Sequence, residues 1–184
     1  MKRIEQKQQT RDHLLNMAYG QFSQKGFLAT KTLDIAKAAG VSHGALFVHF
    51  PSREELLEKV IDAFGVRLGA KLKELVIDRS ARKVLAAHLD AIEEYEGFYA
   101  KLVIEGPLLP PSVRNRAFMI QSGIAHYLEK TIHGSEIPIH FLLNSWLGLI
   151  HYYLANRDKF SPGGSVIAMC GKDLLGHFIK TFNL

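Results

Sequence analysis

The chain has 184 residues, 47% of them hydrophobic and 22% charged, with a net charge of +5 at neutral pH. This excludes a disordered or fibrous chain and leaves room for one domain, or a small domain joined to a larger one, with a buried core. The single cysteine, Cys170, excludes an internal disulfide framework and a multi-cysteine zinc site.

The charge is unevenly placed. Residues 1–53 hold eight Lys and Arg against three acids, whereas the other 131 residues balance fifteen of each. A basic module facing a polyanion and attached to a neutral module fits this asymmetry, and so does a solvated basic tail. Residues 1–7 are largely charged, with no apolar core behind them, so no secretory signal is expected and a soluble cytoplasmic protein is.

Helical periodicity runs the length of the chain and predicts an all-α fold. Leu14, Leu15, Ala18 and Phe22 give one apolar face to a helix over residues 10–25, which Gly26 ends. Thr32 is placed to cap a short helix reaching Ala39, and a second short helix follows over about 43–49. Ser52 and Glu55 fit a capping box that opens a long helix with Leu56, Leu57, Val60, Ile61, Phe64, Leu68, Leu72 and Leu75 as its apolar positions. Further helices are expected over 80–105, 112–132 (ending near His133-Gly134), 138–156 and 165–181. Residues 137–155 are nearly all apolar, long enough to raise a membrane span, yet they hold Pro138, His140, Asn144, Ser145 and His151. A helix buried against its own domain and a second subunit fits better. Val166, Cys170, Leu174, Phe178 and Phe182 recur every fourth residue, so this helix is expected to join the previous one in a four-helix interface between two copies.

Residues 32–50 have the parts of a helix-turn-helix. Ala36 is small where two helices would cross, Gly40 permits a left-handed turn, and Val41 and Leu46 can plug the space between the helices. At 100° per residue Leu46 and Phe50 share the core side of the second helix, Gly44 and Val48 lie opposite, and Ala45 and Phe47 flank them. The outward face is therefore small or apolar, which suits close approach to a major groove and contact with thymine methyls. His43 at the helix start can reach base acceptors, and Thr32, Ser42, His49 and Arg53 flank the face as phosphate contacts. A small core hairpin whose outer face is covered by another helix would show the same pattern, and stays open here.

The run Phe22, Gly26, Thr30, Thr32, Ile35-Ala36, Ala39-Gly40-Val41-Ser42, Gly44, Leu46-Phe47, His49-Phe50-Pro51-Ser52-Arg53-Glu54 and Leu56 resembles the amino-terminal signature of the TetR family of transcriptional regulators, over about residues 8–60. The resemblance implies a three-helix DNA-binding domain, residues 1–50, followed by a helical effector-binding and dimerisation domain, residues 51–184. By family position, Thr32, Ser42, His43, Gly44, Ala45, Phe47, Val48, His49 and Arg53 are the implied DNA contacts. Two positions depart from the pattern. Phe47 stands where a tyrosine is usual and lacks its hydroxyl, and Arg53 replaces the usual lysine, keeping the charge and adding a fork of donors.

Other chemistry finds little footing. His140 and His151 are about 16 Å apart along a helix, and His126 and His133 are two turns apart, so neither pair is placed to share a metal. Glu93, Glu94 and Glu96 read as a solvated helix face. Cys170, on the apolar stripe, reads as an inert buried thiol. No phosphate-cradling glycine loop or nucleophile elbow is present, and no enzyme or cofactor is expected.

Bulky residues over 86–153 suggest a pocket for a small apolar or aromatic effector, lined by Tyr95, Phe98, Tyr99, Phe118, His126, Tyr127, Asn144, Trp146 and His151. The expected protein is thus a dimeric, ligand-responsive repressor that binds a palindromic operator in double-stranded DNA, without membrane association. Effector binding is expected to move the helix beginning near Ser52. A helical small-molecule carrier or enzyme without DNA binding is the alternative.

Overall fold

The computed structural model describes residues 2–76, 80–132 and 137–184. Among them every regular element is helical: α1 (Lys2–Lys25), α2 (Thr32–Ala38), α3 (His43–His49), α4 (Arg53–Leu75), α5 (Ala81–Glu94), α6 (Glu96–Glu105), a 3-10 turn at Gly106–Leu108, α7 (Pro111–Ser122), α8 (Ala125–Glu129), α9 (Ile139–Ala155), α10 (Arg157–Phe160) and α11 (Val166–Phe182). His133, and with it the helix end expected near His133-Gly134, lies outside the described residues.

The first three helices fold around Leu14, Ala18, Phe22, Ile35, Ala36, Leu46 and Phe50, all fully buried. Two chain reversals rely on glycine: Gly26 (φ +88°) and Gly40 (φ +68°) adopt the left-handed conformation that a Cβ disfavours. The turn at Gly40 is closed by Val41 N–H donating to Ala36 O at 3.0 Å. Serine hydroxyls cap the helices that follow turns. Ser42 accepts from Ala45 N–H (3.1 Å) at α3, and Ser52 accepts from Glu55 N–H (3.0 Å) at α4. Thr32 does not cap α2. Lys31 takes the cap position without a side-chain bond, and the Thr32 hydroxyl turns to α3 instead.

An aromatic cluster joins this unit to the rest. Tyr19 stacks on Phe98 (4.6 Å between centroids), Phe22 on Phe27 (5.0 Å), and Phe98 also meets Phe27 (5.2 Å) and Phe64 (4.8 Å). Helices α1, α4 and α6 therefore share one packed contact, each pair contributing beyond its buried area.

Three expectations about the carboxy-terminal helices need correction. The segment 80–105 is two helices, broken at Tyr95, which leaves the helical conformation (φ −117°, ψ 17°) and lays its ring edge-on to Phe64 at 6.0 Å. The break turns Glu96 inward, away from the solvated face expected for it. Its buried carboxylate accepts from Ser165 Oγ (2.6 Å), Val166 N (3.0 Å) and Ile167 N (3.1 Å), satisfying orphan donors at the start of α11. The segment 112–132 is interrupted by Gly123 and splits into α7 and α8.

The fourth-residue stripe of α11 faces its own chain. Val166, Leu174 and Phe178 are buried, Cys170 and Phe182 are half-buried, and Phe178 packs edge-on against Trp146 of α9 at 4.9 Å. The surface left open on α9 and α11 carries Phe141, Tyr152 and Met169 instead. No helix among the described residues is long and apolar enough to cross a membrane.

Candidate nucleic-acid interface

The second helix of the hairpin presents the side expected of it. Leu46 and Phe50 are fully buried, while Gly44 is exposed, Phe47 is 36% exposed and Val48 70% exposed. Ala45 is half-buried between the two sides. Among the described residues no other helix covers the outward flank, which stands against the covered-hairpin reading.

Polar groups line the start of α3. Thr32 Oγ1 and His43 Nε2 form a hydrogen bond of 2.9 Å, linking the first residues of α2 and α3, and the His43 ring meets Phe47 edge-on at 5.0 Å. The imidazole is held from two sides, and among the described residues Nδ1 makes no hydrogen bond. Ser42 is exposed, and its hydroxyl proton stays available because its oxygen acts as the cap acceptor.

At the other end of α3 an arginine that the sequence reading missed is central. Arg11 donates through Nη1 to the carbonyl oxygen of His49, lies 4.2 Å over the Phe50 ring and sits 3.6 Å from the Glu55 carboxylate. It satisfies the end of α3 and binds it to α1 and α4. His49 is half-buried, and desolvation, then the charges of Lys7 and Arg11, hold its pKa below the ordinary imidazole value. Arg53 donates from Nη2 to the carbonyl of Phe27 at 2.5 Å, tying the α1–α2 turn to the start of α4 and leaving the rest of its fork free. From the opposite side Glu105, at the end of α6, accepts from Leu28 N–H at 2.7 Å. Nothing local in sequence marks Arg11 or Glu105, because their partners lie 38 and 77 residues away.

The residues expected to share a pocket are distributed. One cavity of about 360 Å³ lies between α6, α7 and α9, and Phe118 and His151 line it beside Leu102, Val103 and Gln121. Tyr99 lies behind it, its hydroxyl 2.9 Å from His151 Nε2 and also hydrogen-bonded to Gln121. Burial lowers His151 to about 4 and raises the Tyr99 hydroxyl, so both are neutral at physiological pH. A second cavity of about 340 Å³ lies between α4, α5, α7 and α8, and His126 and Tyr127 line it.

The other expected pocket residues lie elsewhere. Phe98 and Trp146 are packed in the core, Tyr95 is half-buried against Phe64, and Asn144 is exposed on α9. Aromatic residues at helical spacing fill a core as readily as they line a pocket. The second cavity also exposes a residue passed over in the sequence, His88 of α5. Its position among Val84, Leu85, Ala91 and Ile92 on the apolar face was the available signal. Among the described residues no group of three or more His, Cys, Asp or Glu could hold a metal.

Taken together, these features define a protein with an amino-terminal helix-turn-helix domain and a following helical domain. Residues 14–60 match the model of the bacterial regulatory proteins of the tetR family. Over those residues the chain is similar to the DNA-binding domain of that family. It is 32% identical over 97 residues to the HTH-type transcriptional repressor KstR2 of Mycobacterium tuberculosis, covering 51% of this chain and 48% of that one. It is 31% identical over 178 residues to the uncharacterized HTH-type transcriptional regulator YuxN of Bacillus subtilis, covering 93% of this chain and 57% of that one. The chain spans about half the length of the curated relatives it matches. Its fold is that of a TetR regulator from Legionella pneumophila (TM-score 0.73, 20% identity, covering 92% and 95% of the two chains). It is likewise similar to FadR of Bacillus subtilis, solved in complex with stearoyl-CoA (TM-score 0.67, 16% identity, 91% and 96% covered).

Proposed function

We propose that the chain is a sequence-specific DNA-binding transcriptional regulator, a cytoplasmic repressor that binds a palindromic operator as a homodimer and responds to a small molecule. The observation that carries this is the outward flank of α3: Gly44, Phe47 and Val48 are exposed, uncharged and bordered by polar and basic groups. A solvated helix face would carry charge, whereas a groove-facing one gains from small and apolar residues against thymine methyls. His43 reads base edges, Ala45, Gly44 and Val48 allow close approach, and Thr32, Ser42, His49 and Arg53 hold phosphates.

The open faces of α9 and α11, with Phe141, Tyr152 and Met169 exposed, support pairing with a second copy. Two copies would read half-sites about one helical turn, or a multiple of it, apart. An effector bound in the helical domain weakens DNA binding through α4, which starts at Arg53 beside the reader and runs to Leu75 along the second cavity. Release requires that the effector prefer one arrangement of the dimer to the other.

The test is selection of bound fragments from genomic DNA, followed by competition against random duplex at fixed salt. A recurrent inverted repeat bound at least about 1,000-fold more tightly than random DNA supports the reading. Equal affinity for selected and random fragments refutes it.

A further inference from the structure

His88 is 3% exposed, and Trp146 Nε1–H donates to its Nδ1 at 3.1 Å. A neutral imidazole has one donor and one acceptor nitrogen, so accepting at Nδ1 places the proton on Nε2. Burial, with a smaller contribution from nearby His151, lowers His88 to about 3, so the ring stays neutral. Among the described residues Nε2 makes no hydrogen bond, and His88 lines the second cavity. Nε2 is not sealed inside the protein, since the buried side-chain polar atoms without a partner among the described residues are Gln21 Oε1 and His49 Nδ1, so its N–H is a donor that a guest in the cavity can engage.

The remaining walls favour an apolar guest. Leu68, Leu72, Ile120 and Ile124 line the space, and no Asp, Glu, Lys or Arg does. Gly65 and Gly69 lie one turn apart on α4 and withhold side chains from the same wall. His126 lines it too, but its Nε2 takes a hydrogen bond from Lys130 Nζ at 2.8 Å. The first cavity differs, because its lining His151 already bonds the Tyr99 hydroxyl behind it.

We propose that the second cavity is the effector site and that its ligand is a small uncharged molecule, an apolar body carrying a carbonyl oxygen that accepts from His88 Nε2–H. This rests on the ligand-responsive reading above. Cations find no carboxylate there and anions no fixed positive charge, so either would lose its hydration without replacement. The volume is at the lower end for ligand pockets, which limits the body to a compact ring or a short chain.

Trp146 is the only tryptophan and bonds the same imidazole, so its emission reports the site directly. The full chain is titrated with two ketones of different shape, 2-nonanone and cyclooctanone, then with nonane, cyclooctane and octanoate. At least one ketone should give a saturable change in emission, with affinity about 10-fold above its hydrocarbon and above octanoate. Gly69→Leu, whose Cβ meets nothing within 4 Å, should fold and weaken ketone binding at least 10-fold by filling the cavity. Gly106→Leu, at the first cavity and equally unobstructed, should leave binding unchanged.

No saturable response to either ketone overturns the proposal. So does equal affinity for ketone and hydrocarbon, or loss of binding in Gly106→Leu alone. Operator affinity is measured separately with and without the bound ketone. If the ketone binds as described and DNA affinity does not change, the site stands and the ligand-responsive reading fails.

Discussion

Thr32 Oγ1 and His43 Nε2 lie 2.9 Å apart, so the first residue of α2 holds the first side chain of α3 in one orientation. An imidazole fixed on one nitrogen offers a base edge only the other. His43→Ala should therefore change base preference at one position per half-site, by about 1–3 kcal/mol. Thr32→Val should produce a smaller change at that same position, because it frees the ring without removing it. Binding to a panel of operators with single base substitutions separates the two effects, and a uniform loss on every operator would contradict the assignment.

Arg53 has two tasks, one toward DNA and one toward the Phe27 carbonyl. Arg53→Ala should weaken binding to all sequences alike and reduce the slope of log affinity against log salt by about 1. It should also lower stability by about 1 kcal/mol, since a charged donor is lost from a part-buried carbonyl. Salt titrations together with urea unfolding check both.

The turn between α1 and α2 is gripped from the other side by Glu105. Gly26→Ala would put its Cβ 2.0 Å from Glu105 Oε1 and force a side chain into a positive φ, so it should destabilise by about 2 kcal/mol or more. In a Glu105→Ala background the steric part disappears and the conformational part, about 1 kcal/mol, remains. A double-mutant cycle by thermal unfolding measures the difference, and additive losses would show that the two residues do not meet.

Glu96 spends both carboxylate oxygens on the start of α11. Glu96→Ala leaves a half-buried hydroxyl and two buried backbone donors without their acceptor, for a loss of about 2–4 kcal/mol. Urea unfolding should show this while the DNA affinity of the folded fraction is unchanged.

Two desolvated histidines, one buried and one half-buried, make stability depend on pH. His88 and His151 are lowered to about 3 and about 4, against about 6.5 in an unfolded chain. Below pH 6.5 the unfolded chain binds protons that the folded one refuses, so stability falls as pH falls from 6.5 toward 4. The slope is on the order of 1.4 kcal/mol per pH unit for each group at its steepest. Above pH 7 neither contributes a slope. Urea unfolding at pH 7 and pH 5 tests this, and His88→Phe should flatten the dependence by roughly half.

The amino-terminal third was legible in the sequence because its determinants are local. Gly40 marks a left-handed turn, and the spacing of Leu46 and Phe50 against Gly44 and Val48 fixes which side of α3 is outward. These constraints fall within about twenty residues, where helical periodicity is informative. The second half yielded less because its organisation depends on distant pairings. Glu96 looks like any surface carboxylate until α11 is brought to it, and Tyr95 breaks a helix for which periodicity alone gives no stop. The stripe on α11 was correctly apolar, but a stripe does not say whether its partner is the same chain or a second one. That Phe98 and Trp146 pack in the core while Asn144 lies exposed on α9 depends on the same distant pairings.

The central claim is that the uncharged flank of α3 enters a DNA groove, and Val48→Glu tests it most directly. Val48 is 70% exposed, so a glutamate there should leave the fold and its melting temperature unchanged. Facing phosphates and base acceptors, the new carboxylate should reduce affinity for the selected operator at least about 100-fold. Unchanged affinity at the same salt concentration would mean that this flank does not meet DNA.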